Sequence, residues 1–198
     1  MVKHSKRYQA AHGLVDSEKK YAPTEAIELV KQASSTKFDE TIELHLRTSA
    51  DPRHADQQLR GVATLPAGLG KAIRVAVFAG GEGARLASES GAEFVGADDL
   101  VERVEGGFTD FDVAIATPDM MGKIGKLGRI LGRKGLMPNP RTNTVVQEGD
   151  IGSAVQEAKK GRVELRMDRT AIIHSAVGKA SFDAGQLMEN LTAVVDTV

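Results

Sequence analysis

Met121-Gly-Lys-Ile-Gly-Lys-Leu-Gly-Arg-Ile-Leu-Gly-Arg-Lys-Gly-Leu-Met-Pro-Asn-Pro-Arg141 is the stretch from which the rest of the chain is read. Lys123, Lys126, Arg129, Arg133, Lys134 and Arg141 fall in it, and no acidic residue stands between Met120 and Gln147. Thr117-Pro118-Asp119 before it reads as a helix start, with Thr117 as cap, Pro118 in the first turn and Asp119 near the positive end. At about 100° per residue three stripes emerge. Ile124, Leu127 and Leu131 share one face, Gly125, Gly128 and Gly132 the next, and Lys126, Arg129 and Arg133 a third. An interior glycine costs a helix about 1 kcal/mol relative to alanine, so a stripe of them needs a reason. Close approach of another backbone, of protein or nucleic acid, is such a reason. Gly135 then ends the helix, and Pro138 and Pro140 keep it from restarting. Pattern alone leaves two readings: a solvated basic helix packed through its glycines, or a nucleic-acid contact.

A chain of 198 residues has room for one core or two small ones. It has no cysteine, so no disulfide framework or thiolate metal site is available. No apolar run follows the basic N-terminus, which speaks against a signal peptide, and none approaches the roughly 20 residues of a membrane span. A soluble, cytoplasmic protein without a membrane partner is expected. The net charge is only −1, but it is segregated. Met1 to Lys20 carries +3, Lys159 to Ala180 +4, and Glu82 to Asp112 −7. Local basic surfaces can therefore bind phosphates despite the neutral total. Aromatic residues make up only 4% of the chain, so RNA recognition would rest on shape, 2′-hydroxyls and phosphates more than on stacking.

Taken in order, Lys3 to Gln9 is a basic arm, either a frayed terminus or an RNA contact. A helix follows around Thr24 to Ser34, with Ala26, Ile27, Val30 and Ala33 inside. In Thr41-Ile-Glu-Leu-His-Leu-Arg-Thr48 the alternation predicts a half-buried strand with one polar, open face. Phe38, just before it, reads from the residues alone as core. Asp51, His54 and Asp56 lack a fourth partner and a metal-site spacing. Gly70-Lys71 lacks the first glycine and the serine or threonine of a phosphate loop. From Ala72 onward buried strands alternate with helices: a strand at Ile73 to Phe78, a turn at Gly80 to Gly83, and a helix from Ala84 to Ser90. Then come a strand at Glu93 to Val95, a helix from Asp98 to Glu105 and a strand at Asp112 to Ala116. That order predicts a parallel three-layer α/β unit. Gly81 and Gly83 begin a dinucleotide fingerprint, with Asp98 near the ribose acid's place, but Leu86 occupies the third glycine position.

After a helix from Ile151 to Lys160, Arg162 to Val177 reads as a hairpin turning at Asp168-Arg169. A helix from Phe182 to about Asp196 closes the chain. The fold expected is α/β in two domains. Residues 1–66 and 158–198 form an interrupted α+β sandwich with an open antiparallel sheet, and residues 67–157 an inserted Rossmann-like α/β domain. Thr41, Glu43, Arg47, Arg162 and Arg166 then share one open surface. Two function classes follow: a non-catalytic RNA-binding protein, or a nucleotide-dependent enzyme using the insert. The second lacks a complete phosphate loop, and five scattered histidines without cysteine offer no triad or metal cluster. No cofactor, metal or catalytic residue is assigned.

Ile124-Gly-Lys-Leu-Gly-Arg-Ile-Leu-Gly-Arg-Lys-Gly-Leu-Met-Pro-Asn-Pro140 closely resembles the signature of the large-subunit ribosomal protein one family, proteins of the mobile stalk beside the tRNA exit site. Lys37-Phe-Asp-Glu-Thr41, Asp51-Pro-Arg-His-Ala-Asp-Gln57, Arg60-Gly61, Leu65-Pro66 and Val177-Gly-Lys-Ala-Ser-Phe182 resemble the family's strings in the same order. The resemblance covers nearly the whole chain. It implies two hinged domains, binding to large-subunit rRNA among other large-subunit components, contact with exit-site tRNA, and repression of the protein's own mRNA through its leader. Carried over residue by residue, it implies an RNA surface of Lys37, Phe38, Thr41 and Glu43, joined by Arg166, Asp168, Arg169 and His174. Lys126, Arg129, Arg133 and Lys134 would give a second contact. The family also implies a further strand with a Thr-Met-Gly-Pro motif. This sequence stops at Val198 without one, so the RNA surface is expected to lack an edge.

Overall fold

In Thr41–Arg47 every second side chain is exposed and the ones between are half-buried, the signature of a strand with one face against other chain segments. The computed structural model describes residues 5–198. In chain order its elements begin with α1 (Lys6–His12), α2 (Pro23–Ala33), β1 (Thr41–Arg47) and β2 (Arg60–Thr64). They continue with β3 (Val75–Phe78), α3 (Gly81–Glu89), β4 (Phe94–Gly96), α4 (Asp98–Glu105) and β5 (Val113–Ala116). Two single turns, α5 (Met121–Ile124) and α6 (Gly128–Leu131), precede α7 (Ile151–Gly161), β6 (Arg162–Arg166), β7 (Ile172–Lys179) and α8 (Ala184–Thr197). Lys3 and His4 of the expected basic arm lie outside the described residues.

The chain divides into two compact units, residues 1–70 with 165–198, and residues 71–164. The divisions fall at Gly70/Lys71 and Glu164/Leu165, against the expected 66/67 and 157/158. In the first unit β1 pairs antiparallel with β7; β2 pairs with β6, the strand in which the division at Glu164/Leu165 falls. A single bridge, Met167 to Ile173, joins the two ladders, so the expected single sheet is two short ladders meeting at one point. The β6–β7 turn runs through Asp168 to Ala171, two residues longer than the expected Asp168-Arg169, and Ala171 has φ 62°. Strand β2 was not anticipated, because Gly61 and Ala63 blur its alternation.

Helix α8 packs on β2, β7 and α2, and its Leu187 and Val194 are fully buried. Asp183 and Gln186 form a capping box at its start. Asn190, also fully buried, ties three segments together: its Nδ2 donates to Gly68 O at 2.9 Å and Val177 O at 2.8 Å, and its Oδ1 accepts from Ala67 N–H at 3.0 Å. Val177 is the residue at which β7 bulges. Ile42 pairs with Gly178 and Glu43 with Ala176, so Val177 has no partner in β1. A Cβ on Gly178 would stand 2.9 Å from Leu187 Cδ2 and from Phe182 Cδ2, so only glycine fits there. Val30, expected inside α2, is instead 46% exposed, at the lip of a groove with Ala33, Phe38 and Ile42.

In the second unit β4, β3 and β5 form a parallel sheet in that order, with all four residues of β3 buried. Ala76, Phe78, Ala114 and Ala116 face Leu100, Val101 and Val104 of α4 and Ile124, Leu127 and Leu131 of the basic segment. α7 packs on α3, β3 and β5. Helix α3 begins at Gly81, so the expected turn at Gly80 to Gly83 is the first turn of a helix. A Cβ on Gly83 would stand 2.9 Å from Ile151 Cδ1, so this glycine serves the packing of α3 on α7. The basic segment is not one regular α-helix either. α5 and α6 alternate with tighter three-residue turns at Pro118–Met120, Gly125–Leu127 and Gly132–Lys134. The three-residue steps Ile124–Leu127 and Gly122–Gly125–Gly128 match a helix of three residues per turn better than one of 3.6. Thr117 makes no side-chain cap; it is buried, and its N–H bonds Phe78 O at 3.1 Å. Gly135 does end the segment, at φ 71°.

Candidate nucleic-acid interface

The outward residues of β1 are Thr41, Glu43, His45 and Arg47. Paired residues in an antiparallel ladder share a face, so Lys179, Ala176, His174 and Ile172 stand beside them in that order. Lys179 Nζ donates to Thr41 Oγ1 at 2.8 Å. Leu165 and Met167 are buried, and the Met167–Ile173 bridge therefore turns Arg166 and Asp168 to the side of His174. Thr41, Glu43, Arg166, Asp168 and His174 come together on one open side, while α8 covers the other. Arg169 is exposed in the turn at its margin. Arg162 falls in the second unit, where it is half-buried and burial pulls its guanidinium pKa down.

Lys37 and Phe38 lie in the segment leading into β1, and Phe38 is 71% exposed, so the reading of it as core does not hold. An exposed phenylalanine forgoes roughly 1.5–3 kcal/mol of burial. Its backbone is nonetheless held. Asp39 accepts from Ser181 N–H at 3.0 Å and Ser181 Oγ at 2.7 Å, Ser34 donates to the Glu40 carboxylate, and Ala180 N–H donates to Glu40 O at 2.9 Å. The ring is presented by an anchored loop.

Asp168 has a structural job beside the one carried over to it. Its Oδ1 accepts from Ile172 N–H at 2.9 Å and from Thr170 N–H and hydroxyl at 2.8 Å each. The bond from Ile172 N–H, followed by that from the Thr170 hydroxyl, holds the carboxyl far below the ordinary carboxylate range. Asp168 therefore shapes the turn, and its Oδ2 stands 3.4 Å from His174 Nε2. The pairing of His174 with His45 and the placing of Lys179 beside Thr41 were not visible in the sequence, since both depend on register between strands some 130 residues apart.

In the second unit Ile124, Leu127 and Leu131 have no exposed surface, and Lys126, Arg129 and Arg133 project outward. None of these three forms an ion pair with a described residue. Lys134 donates to Thr109 Oγ1, and Lys123 pairs with Asp98 at 2.5 Å. Among the described residues, the adjoining turns apart, no atom lies within 4 Å of a Cβ built on Gly122, Gly125, Gly128 or Gly132, so the glycine stripe packs on no other described backbone. It forms a shallow open strip beside unpaired cations. The dinucleotide reading loses its parts here: Gly83 is covered by Ile151, and Asp98 is held by Lys123. Asp51 accepts from Arg53 N–H at 2.9 Å, closing a turn, and stands 3.9 Å from His54 Nε2. Among the described residues no helix is long and apolar enough to cross a membrane.

Relatives named large ribosomal subunit protein uL1 align along the whole chain. The one from Dehalococcoides mccartyi is 56% identical over 198 residues, 100% of this chain and 84% of its own. Those from Chloroflexus aggregans and Thermomicrobium roseum are each 55% identical over 199 aligned positions, covering 100% of this chain and 84% and 83% of theirs. The matching family model, described as the ribosomal protein L1p/L10e family, covers residues 29–198. With that coverage and that identity, the chain belongs to the ribosomal protein L1p/L10e family.

Proposed function

We propose that this chain is a non-catalytic constituent of the large ribosomal subunit that binds large-subunit rRNA through the open face of its first unit. The observation that supports the reading is that Thr41, Glu43, Arg166 and His174 share the uncovered side of the β1–β7 ladder, with Lys179 beside Thr41, Arg169 in the turn at its margin, and Lys37 and Phe38 exposed in the segment leading into β1. Cations there meet phosphates, Thr41 and Glu43 meet ribose hydroxyls or base edges, and the anchored Phe38 ring stacks on an unpaired base. Asp168 acts by holding the turn and His174.

Lys126, Arg129, Arg133 and Lys134 supply a second, weaker contact, and the open glycine strip lets a sugar–phosphate backbone come close. Exit-site tRNA is the partner we assign to that contact. The leader of the protein's own mRNA would compete for the first face, since a surface suited to folded rRNA accepts a leader of like shape. Uptake into the ribosome follows from rRNA binding, with a site of action in the cytoplasm.

A gel-shift titration with a stalk rRNA fragment tests the reading. Saturable binding is expected, with log affinity falling linearly in log salt. Binding that ignores moderate salt, or that survives Phe38→Ala undiminished, refutes it.

A further inference from the structure

His45 on β1 and His174 on β7 are directly opposed, with ring centroids 4.8 Å apart and Nδ1 atoms 2.7 Å apart. Each ring turns its other nitrogen toward a carboxylate: His174 Nε2 is 3.4 Å from Asp168 Oδ2, and His45 Nε2 is 3.7 Å from Glu43 Oε2. A carboxylate favours an N–H on the nitrogen that faces it. With both Nε2 atoms protonated, two Nδ1 lone pairs would confront each other, and a positive centre between them relieves that repulsion with the rings kept in place. A bridging proton does so by adding a charge or by stripping the N–H from one Nε2. A metal ion does so while both N–H groups stay on their carboxylates.

We propose that His45 and His174 form a two-imidazole site for a divalent cation of the zinc and nickel class, with Glu43 and Asp168 orienting the rings from behind. Imidazole nitrogen selects such borderline ions over magnesium or calcium. Metal-bound histidines regularly give their second ring nitrogen to a carboxylate, as His174 does here toward Asp168, with Glu43 standing near His45 Nε2. Two bonds of about 2.0–2.1 Å at tetrahedral or right angles separate their nitrogens by about 2.9–3.4 Å. The observed spacing needs to open by only a few tenths of an ångström, and the two side chains, 54% and 50% exposed, are free to turn. Among the described residues no group of three or more histidine, aspartate or glutamate side chains could hold a metal ion, so the protein gives two donors. Water or a donor from a bound molecule fills the remaining positions. The site stands whether or not this face binds RNA.

Calorimetric titration of the full chain with zinc, in a buffer that does not chelate, tests the proposal beside His45→Asn, His174→Asn and a His54→Asn control. One saturable equivalent is expected for the native chain and for His54→Asn. Each of the other two should lose at least about tenfold in affinity, and Asp168→Asn about 10–100-fold, as orienting carboxylates do. Circular dichroism checks that the variants fold. In NMR spectra the ring protons of both histidines should shift together as zinc is added. Three results would overturn the site: no saturable uptake at millimolar zinc, uptake unchanged in both strand variants, or equal affinity for magnesium.

Discussion

Replacing Asn190 by alanine should be among the costliest single changes in the first unit. Its amide lies fully buried and makes three hydrogen bonds of 2.8–3.0 Å. Truncation leaves Ala67 N–H and the carbonyls of Gly68 and Val177 without that partner. At about 1 kcal/mol per bond, with the added penalty of buried unpaired groups, the loss is about 2–4 kcal/mol. For a chain of this size that is roughly 5–15 °C in midpoint. Asn190→Asp separates hydrogen bonding from packing, since it keeps the volume but turns the donor into a carboxylate aimed at two carbonyls. At neutral pH it should be less stable than alanine, and acid should narrow the gap by restoring one donor. Urea and thermal unfolding followed by circular dichroism read all three proteins. If Asn190→Asp equals or exceeds Asn190→Ala at neutral pH, or alanine costs under about 0.5 kcal/mol, the assignment of donor and acceptors at Asn190 is wrong.

Phe38→Ala should leave the midpoint nearly unchanged, since the ring is exposed, yet weaken rRNA binding by about 1–3 kcal/mol; parallel melts and gel shifts decide. Changing Lys126, Arg129 and Arg133 together to glutamine should lower the salt slope of any RNA they contact by about 2–3, without loss of stability; an unchanged slope removes them from the interface. Asp112 gives a pH prediction. Burial opposes its charge, but Lys71 Nζ at 2.6 Å, Arg74 N–H at 3.1 Å and Arg74 Nε at 3.2 Å outweigh it, and the pKa falls to about 2. A depressed carboxyl stabilises the fold above its unfolded value of about 3.9 and loses that effect as pH falls toward the folded one. Asp112→Asn should therefore cost about 1–2 kcal/mol at neutral pH, discounted for the exposed partners, and the difference should vanish between pH 4 and 2. A gap that persists in acid would assign the loss to packing.

Strong local periodicity made β1, β3 and α4 legible in the sequence. Ile42, Leu44 and Leu46 alternate with polar residues, and Leu100, Val101 and Val104 recur at helical spacing on a charged background. The apolar stripe of the basic segment was equally plain, and Ile124, Leu127 and Leu131 are buried as it demands. Its backbone was not, because glycines spaced by three permit α and tighter turns alike. Gly81 to Gly83 misled for a related reason: glycine marks turns and tight helix packing equally, and only Ile151, 68 residues on from Gly83, distinguishes them. At the candidate interface, Phe38 was decided by family likeness against its own hydrophobicity. The His45–His174 and Thr41–Lys179 neighbours stayed hidden, since pairing between distant strands is a tertiary fact that no local pattern encodes.

The extra residue in β7 changes the arithmetic of that strand. Counting by twos from His174 reaches Ala176 and then Gly178, which would send Lys179 to the interior. The irregularity at Val177 switches odd for even, and the lysine emerges beside Thr41 instead. The charge on this border of the molecule is thus set by strand length as much as by residue choice. A one-residue insertion between Gly178 and Lys179 would turn the lysine inward without substituting any residue of the chain.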